Sequence, residues 1–323
     1  MLAAADNKQI SIVVLCGPTA SGKTALACSL VDPFAFEIVS ADSRQVYRQM
    51  NIGTAKPTAE ERALVPHHLI DIVDPDEDYS AARYIYDARN VISEINLRGK
   101  VAMVVGGTGL YIRTLTDGLV DVPSADENLR NELYRYEDQL GEGALHRRLQ
   151  LVDPQQAEKI HPNNLVRIIR SLEVFDQSGI PMSDFQGKHQ FAEAPYRVLK
   201  LYLHWPREIL YERIGTRVDK MLEAGLVEEV KQLLSAGYSP SLKSMQSIGY
   251  REIFSHLKGE VNYSEMVELI KRETRRYAKR QETWFKKEKS IISVDSLREI
   301  DRIHSLIEGF LLQKGRGYGQ NTI

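Results

Sequence analysis

Cysteine is almost missing from this chain. Cys16 and Cys28 are the only two among 323 residues, and no Cys-x-x-Cys pair is available for zinc or redox chemistry. Both thiols are expected to be buried and reduced. Long apolar runs are missing as well, none approaching the ~20 residues of a membrane helix. The N-terminus lacks the charged-then-apolar pattern of a signal peptide, so a cytoplasmic protein without membrane contact is expected. There are no internal repeats. What remains, 43% hydrophobic and 27% charged residues, is the composition of a globular chain long enough for one large or two smaller domains.

Net charge is also small, at −2, but it is spread unevenly. From Lys271 to Lys289 stand nine basic residues (271, 272, 275, 276, 279, 280, 286, 287, 289) against Glu273, Glu282 and Glu288. The stretch has helical spacing and interleaves Tyr277, Trp284 and Phe285. It reads either as a solvated helix face or as a surface for a phosphate-rich partner.

The most informative segment is Gly17-Pro-Thr-Ala-Ser-Gly-Lys-Thr24. It follows the apolar run Ile10–Leu15 and precedes the helix-forming Ala25–Leu30, which gives strand, glycine loop and helix in order. Such a loop points successive backbone N–H groups inward and adds the helix dipole, making an anion cradle. Lys23 brings a formal charge and the Thr24 hydroxyl is placed to ligate Mg2+. Binding of a di- or triphosphate is expected.

Organisation supports that context. Phe36–Asp42, His68–Val73 and Val101–Val105 read as further strands, and Ser80 caps a helix reaching about Arg98 with Tyr84, Ile85, Ala88, Val91, Ile92 and Ile95 on one face. The run Val101–Val105 is apolar throughout, as in a parallel sheet buried on both faces, and ends in a second glycine turn, Gly106-Gly-Thr-Gly-Leu-Tyr111. Both turns then lie at the carboxyl edge of the sheet, where ligands bind in doubly wound folds. The expected architecture is α/β: a P-loop NTPase-like parallel sheet flanked by helices, formed by 1–120 and 197–323. The segment 121–196 is a helical insertion domain with helices over Glu127–Leu140, Glu142–Leu151, Pro154–Ile160 and Asn164–Gln177, and a loop over Gly179–Ala194. Strands return at Arg197–His204 and Ser290–Val294, and the end from Gly315 is expected to fray.

A P-loop usually holds ATP or GTP, with Mg2+ on the loop Thr and on an Asp ending another strand. Here the strongest apolar strand ends in Gly106, whereas Asp42 ends the second strand and should face the loop. It can ligate Mg2+ through water, accept a proton from a nucleophile, or simply cap its own turn. His67 and His68 cannot face one metal from a strand and read as structural; His161 has no partner at metal-ligand spacing. Arg167 and Arg170 share a helical face near Glu173 and suit either an ion pair or a phosphate. Arg213 and Arg217, at i and i+4, suit a diphosphate site.

The phosphate loop, Asp42-Ser-Arg-Gln-Val-Tyr47, Gly53-Thr-Ala-Lys-Pro57, Gly106–Tyr111, His161-Pro-Asn-Asn with Arg167 and Arg170, and Ile248-Gly-Tyr-Arg251 occur in this order. Together, over about residues 10–296, they resemble the bacterial tRNA dimethylallyltransferases. The resemblance implies transfer of a dimethylallyl group from dimethylallyl diphosphate to N6 of adenosine 37, 3′ of the tRNA anticodon. It implies a diphosphate site of Gly17, Thr19, Ala20, Ser21, Gly22, Lys23 and Thr24, with Lys23, Thr24-bound Mg2+ and Arg217 neutralising the leaving group and Asp42 as catalytic base. It implies tRNA contacts at Asp42, Ser43, Arg44, Gln45, Thr108, Arg130, Val166, Arg167 and Arg170, with the insertion gripping the anticodon stem and Arg275 and Arg276 on tRNA phosphates. A monomer is expected. The rival readings are a P-loop small-molecule kinase, an isopentenyltransferase acting on free AMP, ADP or ATP, and an RNA-binding module with a vestigial loop. The first would not need the Asp42–Tyr47 and Gly-Thr-Gly signatures, and the second could dispense with much of 121–196. Retention of Lys23, Thr24, Asp42 and Arg217 together argues against the third.

Overall fold

The computed structural model describes residues 9–189, 194–288, 290–295 and 298–313; the chain end from Gly315 lies outside them. Six strands, β1 (Ser11–Cys16), β2 (Phe36–Ser40), β3 (His67–His68), β4 (Val101–Gly106), β5 (Arg197–Leu203) and β6 (Ile291–Val294), form one sheet in the order β3-β2-β4-β1-β5-β6. Every pairing is parallel. This is a P-loop NTPase-like α/β sheet with helices on both faces. The central strand β1 explains why: alternate residues Ile12, Val14 and Cys16 enter one apolar core, and Val13 and Leu15 enter the other.

The chain divides into two compact units, Met1–Thr116 with Pro195–Ile323, and Asp117–Ala194. The second is helical. Its core joins Leu133, Leu145, Leu149, Ile168, Ile169 and Leu172. Asp126 caps the helix Glu127–Leu140, and Asn164 caps Leu165–Ser178.

Three local expectations need correction. The strand expected over His68–Val73 is only His67–His68, because Leu69 and Asp71 adopt positive φ (62° and 57°) and turn the chain away; Val73 pairs with Tyr47 in an isolated bridge outside the sheet. The expected loop Gly179–Ala194 contains a helix, Met182–His189, whose first turn donates the Ser183 N–H to Asp153 Oδ2 at 2.9 Å. That cap comes from 30 residues upstream, so no local signal announces it. Cys28 is only half-buried, unlike Cys16. Of the paired histidines, His68 meets Glu37 at 2.8 Å, as a structural residue does, whereas His67 meets the Val65 carbonyl at 2.9 Å through Nδ1 and lines a small cavity with Lys23, Thr24 and Asp42, its Nε2 buried without a partner among the described residues. No described helix is long and apolar enough to cross a membrane.

Candidate active site

The phosphate loop joins β1 to the helix Lys23–Ser29. Gly22 has φ 88°, a conformation that suits glycine, and Ala20 is held at φ 64° despite its Cβ. The loop is pinned from the segment just after β5 and from the helix Arg207–Glu223. Trp205 Nε1 donates to the Ser21 carbonyl at 2.9 Å, and Arg213 Nε donates to the Ala20 carbonyl at 2.9 Å while its guanidinium stacks 4.3 Å over the Trp205 ring. The Ser21 hydroxyl is buried without a partner among the described residues.

Lys23 folds back on its own loop, its Nζ donating to the carbonyls of Gly17 (3.1 Å) and Pro18 (2.8 Å). Burial, reinforced by the neighbouring Arg217 charge and opposed by Asp42, brings its pKa down to about 8. Burial likewise works against the Arg217 charge, with Asp42 opposing. Lys23, Thr24, Ser40, Asp42 and Gln45 line one cavity of ≈ 40 Å³. An open groove of ≈ 1160 Å³ begins at Ala20 and Gly22 and is lined by Lys56, Arg62, Arg213, Arg217 and Trp205.

Asp42 does cap its turn: Oδ1 accepts the Arg44 N–H at 2.8 Å and the Gln45 N–H at 3.4 Å. Its Oδ2 makes no hydrogen bond among the described residues, so capping leaves half the carboxylate for chemistry. The Gly106 turn packs directly on this segment, since a Cβ at Gly106 would lie 2.1 Å from the Ala41 carbonyl oxygen. Thr108 ties the two together, its N–H donating to Ala41 O (3.1 Å) and its Oγ1 accepting the Ser43 N–H (3.1 Å). Arg44 donates to the Lys243 carbonyl at 2.8 Å, and Gln45 Nε2 to the Ala55 carbonyl at 3.1 Å.

Sequence reasoning missed several contributors. Within the helix Tyr263–Phe285, Tyr277 shares a hydrogen bond with the Thr108 side chain, and burial, with Asp42 nearby, pushes its hydroxyl up to about 12. Gln281 accepts the Thr19 N–H at 2.9 Å and donates to the Gly107 carbonyl at 3.0 Å. A Cβ at Gly109 would meet the Trp284 ring at 2.2 Å. The only available signal was a run of uncharged residues at i, i+4 and i+7 in an otherwise basic helix. The Gly53–Pro57 motif also gains a reason. Glu229 accepts the N–H groups of Asn51 (2.8 Å), Ile52 (2.7 Å) and Gly53 (3.1 Å) and the Tyr250 hydroxyl (2.6 Å). Lys56 is buried against Tyr47 O and Asp71.

The remaining expected contacts fall in two places. In the helical unit, Glu173 is fully buried and paired with Arg130 (2.9 Å) and Arg170 (2.5 Å), so the ion-pair reading holds for Arg170. Arg167 is exposed and Val166 is 71% exposed. On the basic helix, Arg276 and Arg272 pair with Glu273 and Lys271 with Asp219, while Arg275 is half-buried. No cluster of three or more His, Cys, Asp or Glu able to hold a metal occurs among the described residues.

The profile described as IPP transferase matches residues 45–288, and that described as isopentenyl transferase matches residues 10–67. The chain is 53% identical over 306 residues to the tRNA dimethylallyltransferase 1 of Syntrophotalea carbinolica, covering 95% of this chain and 98% of that protein. It is 54% identical over 308 residues to the tRNA dimethylallyltransferase of Geobacter metallireducens, covering 94% and 99%. Among solved structures, a tRNA isopentenylpyrophosphate transferase from Bacillus halodurans superposes with TM-score 0.70 at 41% identity, covering 94% of this chain and 97% of that one. A eukaryotic dimethylallyltransferase described as acting on tRNA reaches TM-score 0.82 at 30% identity, covering 97% and 81%.

Proposed function

The chain belongs to the tRNA dimethylallyltransferase (IPP transferase) family, and from that premise we propose that it transfers a dimethylallyl group from dimethylallyl diphosphate to N6 of the adenosine 3′ of the tRNA anticodon. The observation that carries this reading is the shared cavity of Lys23, Thr24 and Asp42. A cationic phosphate cradle and a carboxylate with one unengaged oxygen bound the same small space.

The adenosine N6 lone pair attacks C1 of the donor, the C1–O bond breaks with its electrons going to the diphosphate, and the N6 proton passes to Asp42. The loop N–H groups, Lys23 and Arg217 hold the departing diphosphate, supplying the electrostatic stabilisation on which a poor nucleophile depends. With two of its three N–H donors on the Gly17 and Pro18 carbonyls, Lys23 keeps the third for the diphosphate. Thr24 Oγ1 is a hard oxygen donor of the kind Mg2+ prefers and would hold the ion directly, with Asp42 reaching it only through water; so small a protein set fits an ion taking its other ligands from diphosphate and water. When bound there, Mg2+ neutralises diphosphate charge.

The target base must leave its stack to reach this cavity, at a cost of a few kcal/mol that is smaller in a loop than in a duplex. Ser43, Arg44, Gln45 and Thr108 surround the acceptor side. The helical unit, through Arg167 beside Val166, and the basic helix, through Arg275 and Arg276, take the RNA backbone, while Arg130 and Arg170 hold that helical surface in place through Glu173. The enzyme works as a cytoplasmic monomer.

The test is incubation with Mg2+, dimethylallyl diphosphate and unmodified tRNA, followed by digestion and mass measurement of the nucleosides, with free AMP in parallel. A dimethylallyl increment on tRNA adenosine alone is expected. Product only on AMP would move the protein to the free-nucleotide class. Asp42→Asn should lower turnover at least ~100-fold while retaining tRNA binding, and near-normal turnover would remove Asp42 as base.

A further inference from the structure

Gln281 lies on the basic helix, 6% exposed, with its carboxamide used at both ends. On one side is the phosphate loop, whose Thr19 N–H it accepts. On the other is the Gly106–Gly109 turn, to whose Gly107 carbonyl it donates. That turn reaches the Asp42 segment through the two Thr108 bonds to Ala41 and Ser43. One side chain thus connects the cradle for the leaving group to the strand end carrying the carboxylate.

We propose that Gln281 is a positioning residue for the group transfer, fixing the spacing between the phosphate-loop tip and the Asp42 segment. The inference rests on the proposed reaction. The chemistry of the site selects glutamine. It needs an acceptor and a donor about 2 Å apart on a stem long enough to reach from the helix. Glutamate has no donor for Gly107, lysine and arginine have no acceptor for Thr19, and asparagine is one methylene short. An apolar residue would leave a buried N–H and a buried carbonyl unpaired. The room is specific as well, since a Cβ at Gly107 would lie 2.2 Å from Gln281 Nε2. The Thr19 N–H, already held by Gln281, serves this tie in place of a direct bond to diphosphate. Misplacement of reacting groups by about 1 Å can cost about 10²-fold in rate, so a tie of this kind acts on the chemical step and not on binding.

The experiment compares the full-length protein with Gln281→Met, matched in length, and Gln281→Glu, which keeps only the acceptor. Four quantities are read: single-turnover transfer rate, Kd for tRNA, Kd for inorganic pyrophosphate, and amide hydrogen exchange in the peptide spanning the phosphate loop. Gln281→Met should transfer roughly 10- to 100-fold more slowly, with both Kd values within about threefold of the parent. The Thr19 amide should exchange at least about tenfold faster while β1 and β4 stay protected. Gln281→Glu should retain Thr19 protection and lose part of the rate. An unchanged rate in Gln281→Met overturns the inference, as does a rate loss that follows weakened tRNA binding. If the parent protein transfers nothing, the proposed function fails. The exchange measurement then decides the tie alone: unchanged exchange overturns it and faster exchange upholds it.

Discussion

Two groups of arginines meet the same expectation, contact with phosphate, and are built in opposite ways. Beside the phosphate loop, Arg213 is spent on a carbonyl and an aromatic face, and Arg217 senses Asp42 but closes no ion pair among the described residues. In the helical unit, Arg130 and Arg170 converge on one buried carboxylate, Glu173. Burial alone would raise the Glu173 carboxyl, yet Arg170, the Asp126 N–H and Arg130 pull it below its ordinary range. The first group holds positive potential ready for an anion at some expense of stability; the second uses its charge to fasten helices. Arginine at helical spacing looks identical in the sequence in both cases. What separates them is where the nearest carboxylate lies in space.

The largest effect that could break this contrast is catalytic. Lys23→Met or Arg217→Ala should lower turnover by roughly 10²–10³-fold, the scale for losing one preorganised charge-stabilising group, with tRNA affinity retained. Single-turnover rates that match the parent would mean the unpaired cations do not act on the leaving group. Next comes the fastened pair. Glu173→Gln should lower unfolding free energy by about 1–3 kcal/mol in urea titration, because two partly buried guanidiniums lose their anion. Since the folded carboxyl is held low, this stabilisation is present above the ordinary carboxylate pKa and disappears as pH falls through the depressed folded value. If Glu173→Gln instead left stability intact and tightened tRNA binding, those arginines would belong with the first group.

Between the extremes sit Arg275 and Arg276. Replacing both by Glu should weaken tRNA binding and flatten the plot of log affinity against log salt by about 0.7–0.9 for each phosphate that is no longer neutralised. An unchanged slope would return the outer side of that helix to simple solvation. The smallest effect is the pH response. With Lys23 at about 8, the charged form dominates at pH 7 and falls roughly fourfold in fraction by pH 8.5. Pyrophosphate affinity should therefore be highest below that value and decline by a similar factor above it. The Lys23→Met variant should lose this component, and an identical pH profile in both proteins would exclude Lys23 as its source.

Much of the sheet could be read from residue order. The apolar runs at β1 and β4 and the phosphate loop between β1 and its helix carry their own local physics, so they stand where the pattern put them. Chain reversals at Leu69 and Asp71 could not be read, because positive φ at a leucine follows from surroundings and not from its own preference. The helix Met182–His189 depends on a cap from Asp153, and the tie at Gln281 on two turns distant in sequence. Asp42 illustrates the limit well: capping and proton acceptance looked like alternatives, and two oxygens on one carboxylate serve both.

The order of strands in the sheet also sets a schedule for synthesis. β1 pairs with β4 on one edge and with β5 on the other. β4 ends at Gly106 and β5 begins at Arg197, so about ninety residues separate the completion of one neighbour from the start of the next. At ~5–20 residues per second on a ribosome, the far edge of β1 waits roughly 5–20 s for its partner. The helices of Asp117–Ala194 find their core partners within that same stretch and can form within that interval. The newborn chain therefore carries an open apolar strand edge for seconds, a window in which chaperone capture and misassociation compete with the arrival of β5.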